Sequence, residues 1–228
     1  MHSSAPLFLA VLEIPTGEKD PFGLRRNAIG VIRLIIEKKL PINLNTLIDN
    51  FIDKNDSAGV SLTNFLYERL FNYLKDLGYS NEIVDALVSS RPEKIHDILE
   101  RLEAISEFVK LKESETLSSA NKRVSNILKK ADKISISPID ENLLIENEEI
   151  MLHKVLLDLE PKINQCLIKN DFISALKNLV ILNTPINNFF EKVMVNADDS
   201  KIKNNRYSLL FKLRQNLNCV ADISKLAS

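Results

Sequence analysis

Apolar residues recur at helical spacing in one segment after another, and the breaks in that spacing carry residues that start and stop helices. The first segment runs from Asp20-Pro21 to about Lys39. Asp20 is placed to cap it, and Pro21 takes the first helical position, where a missing N–H costs nothing. At ~100° per residue, Leu24, Ala28, Val31, Ile32 and Ile35 share one side, while Arg26, Arg33 and Glu37 lie opposite with Arg33 and Glu37 spaced to pair. Gly30 inside this helix predicts close packing by a neighbour. Pro41 ends it, and a short helical piece over 44–52 leads into KNDSAG at 54–59, a polar, turn-forming cluster that marks the expected domain boundary.

Beyond the boundary, Leu62, Phe65, Leu66, Leu70, Phe71 and Leu74 set out a helix that Gly78 stops as a C′ residue, and Ser80 caps a short successor. Ile95, Ile98, Leu99, Leu102, Ile105 and Val109 form the next stripe. Another helix is expected over 115–130. SISPIDENLL, with Pro138 and its acids, reads as a connector. Helices then follow over 150–169, from the capping Asp171 to 181, over 184–196, and from 199 to near the end.

Composition agrees with an all-α chain. Five Gly, eight Pro and no Trp among 228 residues leave too few turn formers for a many-stranded sandwich or barrel, and 45% apolar residues suffice for a core. Cys166 and Cys219 lack CxxC spacing and a His cluster, so they read as small core thiols in a reducing cytoplasm. The opening PLFLAVLEI has no basic flank and is too short for a signal peptide, and no stretch approaches a membrane span. Met1-His2-Ser3-Ser4 reads as an expression scar ahead of a C-terminal fragment.

The formal net charge is −1, but the charges are segregated. On the helix at 115–130, Leu117, Ala120, Val124, Ile127, Leu128 and Ala131 gather in one arc. Lys122, Arg123, Asn126, Lys129, Lys130 and Lys133 gather opposite, as a cationic comb able to neutralise phosphates or merely to be solvated. Between 140 and 160, seven acids stand against Lys154 alone and read as a solvated acidic face. In the last helix Leu209, Leu210, Leu213, Leu217 and Val220 form the apolar stripe, and Arg206 falls in its middle. An inward arginine needs a partner: an acid such as Asp171 or Asp198, or RNA reached through a groove. Lys201, Lys212, Lys203 and Arg214 flank the stripe and can snorkel.

No catalytic residues are identified. His96-Asp97 spells a metal-phosphohydrolase dipeptide, but His2 and His153 are the only other histidines, so no metal ligand set assembles. Phosphate loops, dinucleotide fingerprints and nucleophile elbows are missing.

Three segments, PTGEKDPFGLRRNAIGVIRLIIEKKL, SSANKRVSNILKKA and FFEKVMVNADDSKIKNNRYSLLFKLRQNLNCVADISKL, together resemble the C-terminal part of the β subunit in bacterial two-subunit glycyl-tRNA synthetases. The resemblance implies that residues 1–56 are the tail of an HD-like helical region and 57–228 a helical, DALR-like anticodon-binding domain. It implies a subunit of an aminoacyl-tRNA ligase acting in the cytoplasm, with glycine tRNA and the synthetase α subunit as partners, and neither membrane nor DNA. ATP and Mg would serve the α subunit, with no cofactor in this chain. Lys122, Arg123, Asn126, Lys129 and Lys130 would then meet RNA phosphate and sugar, while Asn121 borders the apolar side and is structural. Glycine anticodons end in two cytosines, whose N3 and O2 acceptors Asn204, Asn205 or Arg206 could meet. Tyr67, Tyr73, Tyr79 and Tyr207 could stack on bases or sit at the core edge. The alternative is a helical protein-interaction module without RNA binding, which an exposed apolar groove would favour.

Overall fold

The computed structural model describes residues 20, 23–50, 52–53, 56–130 and 136–227. Met1–Ser4, the apolar opening, Pro21, Lys54, Asn55, Ala131 and Lys133 lie outside the described residues. Every regular element among the described residues is helical, so the fold is all-α. The chain divides into two compact units, residues 1–102 and 103–228.

The first unit contains α1 (Leu24–Glu37), α2 (Leu44–Asp49), α3 (Ser57–Asp76) and α4 (Asn81–Ser89), and α3 packs on the other three. Helix α1 begins at Leu24, later than Asp20-Pro21 suggests. Asp20 still caps it from outside, its carboxylate accepting from Leu24 N (2.7 Å) and Arg25 N (3.0 Å) across a left-handed Gly23. Ala28, Ile32, Ile35 and Ile36 enter the core, but Val31 is 42% exposed and Leu34 53% exposed. Gly30 has no atom within 4 Å of the place a Cβ would occupy, so the expected close neighbour is not there. Arg33 and Glu37 pair at 3.1 Å. Asn43 caps α2 by accepting from Thr46 N (3.1 Å), and Ser80 caps α4. Gly78, with φ 95°, follows α3 in a conformation that favours glycine. The 54–59 cluster falls inside this compact unit, because α3 leaves it to pack on α1 and α2.

Helix α5 (Ile98–Phe108) carries the chain into the second unit, which contains α6 (Ser114–Lys130), α7 (Asn147–Ile168), α8 (Phe172–Asn178), α9 (Asn183–Lys192) and α10 (Ser200–Leu217). Helix α7 packs on α8 and α9, while α10 lies against both α6 and α7. Leu152, Leu156, Leu159 and Ile163 of α7 meet the core at helical spacing, and each such side chain contributes about 1.5–3 kcal/mol on burial. Asp171 caps α8 through Ser174 N (3.0 Å), and a 3-10 turn over Leu179–Leu182 joins α8 to α9. Cys166 and Cys219 are half-buried and not core thiols, and Cys166 Sγ accepts from Asn178 Nδ2 at 3.7 Å.

The connector is sewn onto α10. Ser208 Oγ accepts from Ser137 N (3.3 Å). Asn205 accepts from Asp140 N (2.8 Å) and donates to Asp140 O (2.9 Å), which satisfies both polar groups of one backbone residue. Glu149 closes the seam, its carboxylate accepting from Ile145 N (3.1 Å) and Glu146 N (2.9 Å) at the start of α7.

Candidate nucleic-acid interface

Helix α6 has one polar-cationic face because its opposite face is committed to the core. Leu117 and Val124 are fully buried there, alongside Ser118, Asn121 and Ser125. The Asn121 amide donates to Asn218 Oδ1 at 2.7 Å, the structural role its angle suggests. Ala120, Ile127 and Leu128 are half-buried. Lys122, Arg123, Asn126, Lys129 and Lys130 are all exposed, and the helix brings them onto one surface. Ser119, Lys122, Arg123, Asn126, Ile127 and Lys130 line a shallow, open groove along it.

Several other cations of the unit are paired with acids. Lys192 pairs with Glu148 at 2.7 Å, Lys110 with Glu107 at 2.5 Å, and Lys212 with Glu160. Among the described residues, Lys122, Arg123, Lys129 and Lys130 form no salt bridge. Lys122 Nζ lies 3.5 Å from the Ala227 carbonyl, and the Arg123 guanidinium lies over the Phe190 ring, its central carbon 4.0 Å from the centroid. Four neighbouring cations without a bridging carboxylate give this face a positive potential that water and salt screen.

The acidic stretch is only partly the solvated face its composition suggests, with Asp140, Glu141, Glu146 and Asp158 exposed. Glu148, Glu149 and Glu160 are spent on Lys192, Arg206 and Lys212. The hydrogen bond from Lys192 holds the Glu148 carboxyl below its ordinary value and raises the Lys192 ammonium. At the start of α10, the backbone N–H groups of Ile202 and Lys201 lower the Asp199 carboxyl in the same way. The stretch thus pairs Lys192, Arg206 and Lys212 and none of the α6 cations.

The second expected constellation separates. Asn204 is exposed on α10, whereas Asn205 and Arg206 are buried with their polar groups engaged. Arg206 donates from Nε to Glu149 Oε1 (2.6 Å), from Nη2 to Glu149 Oε2 (3.2 Å) and from Nη1 to the Met194 carbonyl (2.7 Å). The inward arginine therefore has an acid as partner, and that acid is Glu149, not Asp171 or Asp198. Sequence distance concealed it: 57 residues separate the two. Tyr67 and Tyr207 are core residues with hydroxyls donating to Pro92 O (2.9 Å) and Asn196 Oδ1 (2.9 Å), while Tyr73 and Tyr79 are half-buried. Asp97 is engaged by Arg101 at 3.1 Å. Among the described residues no cluster of three His, Cys, Asp or Glu could hold a metal ion, and no helix is long and apolar enough to cross a membrane. The feature sequence reading missed is Phe190, which the FF doublet at 189–190 offers at the edge of the core.

Two family models match. Residues 7–89 match the model described as glycyl-tRNA synthetase beta subunit, and residues 117–223 match the DALR anticodon binding domain, which contains most of α6 and all of α10. Over 94% of its length the chain is 44% identical to the glycine–tRNA ligase beta subunit of Ralstonia nicotianae, covering 31% of that protein. It is 42% identical over its whole length to that of Methylobacillus flagellatus, covering 33% of it. The chain therefore spans about a third of the length of these relatives.

Proposed function

The chain belongs to the family of glycyl-tRNA synthetase β subunits, and from that premise we propose that it holds the anticodon arm of glycine tRNA while a separate α subunit attaches glycine with ATP and Mg. In this reading the chain is part of a cytoplasmic aminoacyl-tRNA ligase, supplies no catalytic group, and works by binding alone. The second compact unit, residues 103–228, acts as the anticodon-binding domain, and residues up to 56 continue an HD-like helical region.

The observation that carries the reading is the gathering of Lys122, Arg123, Lys129 and Lys130, none of them salt-bridged among the described residues, on one exposed helix face along an open groove. Lys122, Lys129, Lys130 and Asn126 contact phosphate and sugar, which fixes the position of the RNA, and Arg123 adds charge to the same track. Base reading falls to Asn204, which is exposed and polar, with Asn205 and Arg206 holding the first turns of α10 in place behind it. Cognate loops satisfy the polar groups of the site, and others leave some unpaired.

Titration of the chain with glycine tRNA and with a tRNA carrying another anticodon tests this. Tighter, salt-sensitive binding of glycine tRNA is expected, and equal, salt-insensitive binding of both defeats the proposal. A second reading, a protein-interaction module, is favoured by one observation: Ile150, Leu157 and Ile168 fall along one line of α7 and are 45%, 48% and 84% exposed. It leaves the α6 cations without a role.

A further inference from the structure

Arg123 is held differently from every other cation on its face. Phe189 is fully buried, and Phe190 meets it edge-on, with ring centroids 5.4 Å apart and planes at 77°. Phe190 is thereby fixed at the rim of the core, half-buried, with the Arg123 guanidinium 4.0 Å from its centroid. That distance is short enough for face-on stacking, in which the planar cation covers the ring and gives up no hydrogen-bond donor to a carboxylate. Arg123 is nevertheless exposed, and it lines the groove with Ser119, Lys122, Asn126, Ile127 and Lys130. A flat, cationic, laterally anchored plate therefore faces an open groove bordered by two lysines and a side-chain amide.

We propose that the Arg123–Phe190 pair is a stacking platform for one unpaired nucleobase of an RNA loop. The base lies on the outer face of the guanidinium, continuing the stack that begins with Phe190. Lys122 and Lys130 neutralise the phosphates flanking that nucleotide, and Asn126, one turn from Arg123 on the same face, offers its amide to the base edge. Every base has a π-face, so the platform captures a splayed nucleotide without choosing among bases, and a duplex cannot use it. Anchoring on Phe190 removes much of the rotamer freedom that arginine otherwise loses on binding. The proposal rests on the reading that this face meets RNA.

The test uses the full chain and anticodon stem-loops of a glycine tRNA carrying 2-aminopurine at one loop position at a time, since stacking quenches that fluorophore. The chain is expected to quench one loop position. Arg123→Lys keeps the charge but not the plate, so that quench should vanish and affinity should fall about tenfold, with the salt dependence unchanged. Phe190→Leu keeps an apolar side chain at the core rim and should lose the same quench. Retained quenching and affinity in both variants, alongside weakened binding by Lys122→Glu, would overturn the platform and leave the RNA reading standing. Wild-type binding by Lys122→Glu and Lys129→Glu, or no binding of the stem-loop at all, would overturn both.

Discussion

Glu149→Ala should be the most damaging single truncation on the surface of contact between α7 and α10. The Glu149 side chain is 0% exposed and that of Arg206 is 7% exposed, so the pair is cut off from water. Glu149 accepts from two Arg206 nitrogens at 2.6 and 3.2 Å and from the Ile145 and Glu146 N–H groups at 3.1 and 2.9 Å. Truncation strands the guanidinium with the Met194 carbonyl as its remaining partner and frees the start of α7. Removing one member of a buried pair costs about 3–5 kcal/mol, because the other charge stays desolvated. Replacing both residues by methionine should cost much less than the two single truncations together, since no buried charge is left. Glu148→Ala, one residue away, breaks a bridge to a Lys192 that is 63% exposed, and should cost far less. Urea unfolding followed by circular dichroism gives the midpoints, and amide exchange should quicken over 137–149 in Glu149→Ala. A Glu149→Ala midpoint equal to that of Glu148→Ala, or a double variant as unstable as the summed singles, would refute the argument.

Gly30→Ala should stabilise the first unit by about 0.5–1 kcal/mol, because Gly30 is inside α1 with open space at its Cβ position; a lower thermal midpoint would show that something packs there. Burial pushes the Tyr67 hydroxyl from 10.0 up to about 12. The proton stays on in the folded state, so stability is complete below pH 10.0 and drains away as pH rises towards 12, and a spectrophotometric titration should find one tyrosine that ionises late. Hydrogen bonds from Lys110, Lys192, Ser174 and the Ile202 backbone hold Glu107, Glu148, Asp171 and Asp199 below their ordinary values of 4.5 for glutamate and 3.8 for aspartate. Their contribution is present above those values and lost as pH falls through the depressed ones, so the thermal midpoint should drop on acidification, and a midpoint that rises below about pH 4 would contradict this.

Helix periodicity made most of the architecture legible, because burying a stripe is a local requirement: Phe65, Leu70 and Leu74 of α3, Leu117 and Val124 of α6, and Leu209, Leu210, Leu213 and Leu217 of α10 are buried as their spacing predicts. Caps were legible for the same reason, at Ser80 and Asp171. The exposed face of α6 also followed from angle alone. Pairing was not legible. Nothing near Arg206 in sequence names Glu149, and nothing in the acidic stretch says that three of its carboxylates reach Lys192, Arg206 and Lys212. Composition gave a solvated acidic face, whereas tertiary packing made three of its seven carboxylates the counter-charge for other helices. Gly30 and Val31 failed for a related reason: a residue's angle on a helix says which way it points, and not whether a neighbour stands there. The turn cluster at 54–59 signals a break in the backbone, but contacts made by α3 on both sides decide which compact unit it belongs to.

The central claim is that the exposed cations of α6 neutralise RNA phosphates, and the salt dependence of glycine tRNA binding tests it most directly. The logarithm of the association constant should fall linearly with the logarithm of salt concentration for the unaltered chain. Lys122→Glu with Lys129→Glu should weaken binding and make the line shallower by at least about 1.4, at ~0.7 per phosphate contact for unpaired RNA. Superimposable lines for the two proteins would contradict it.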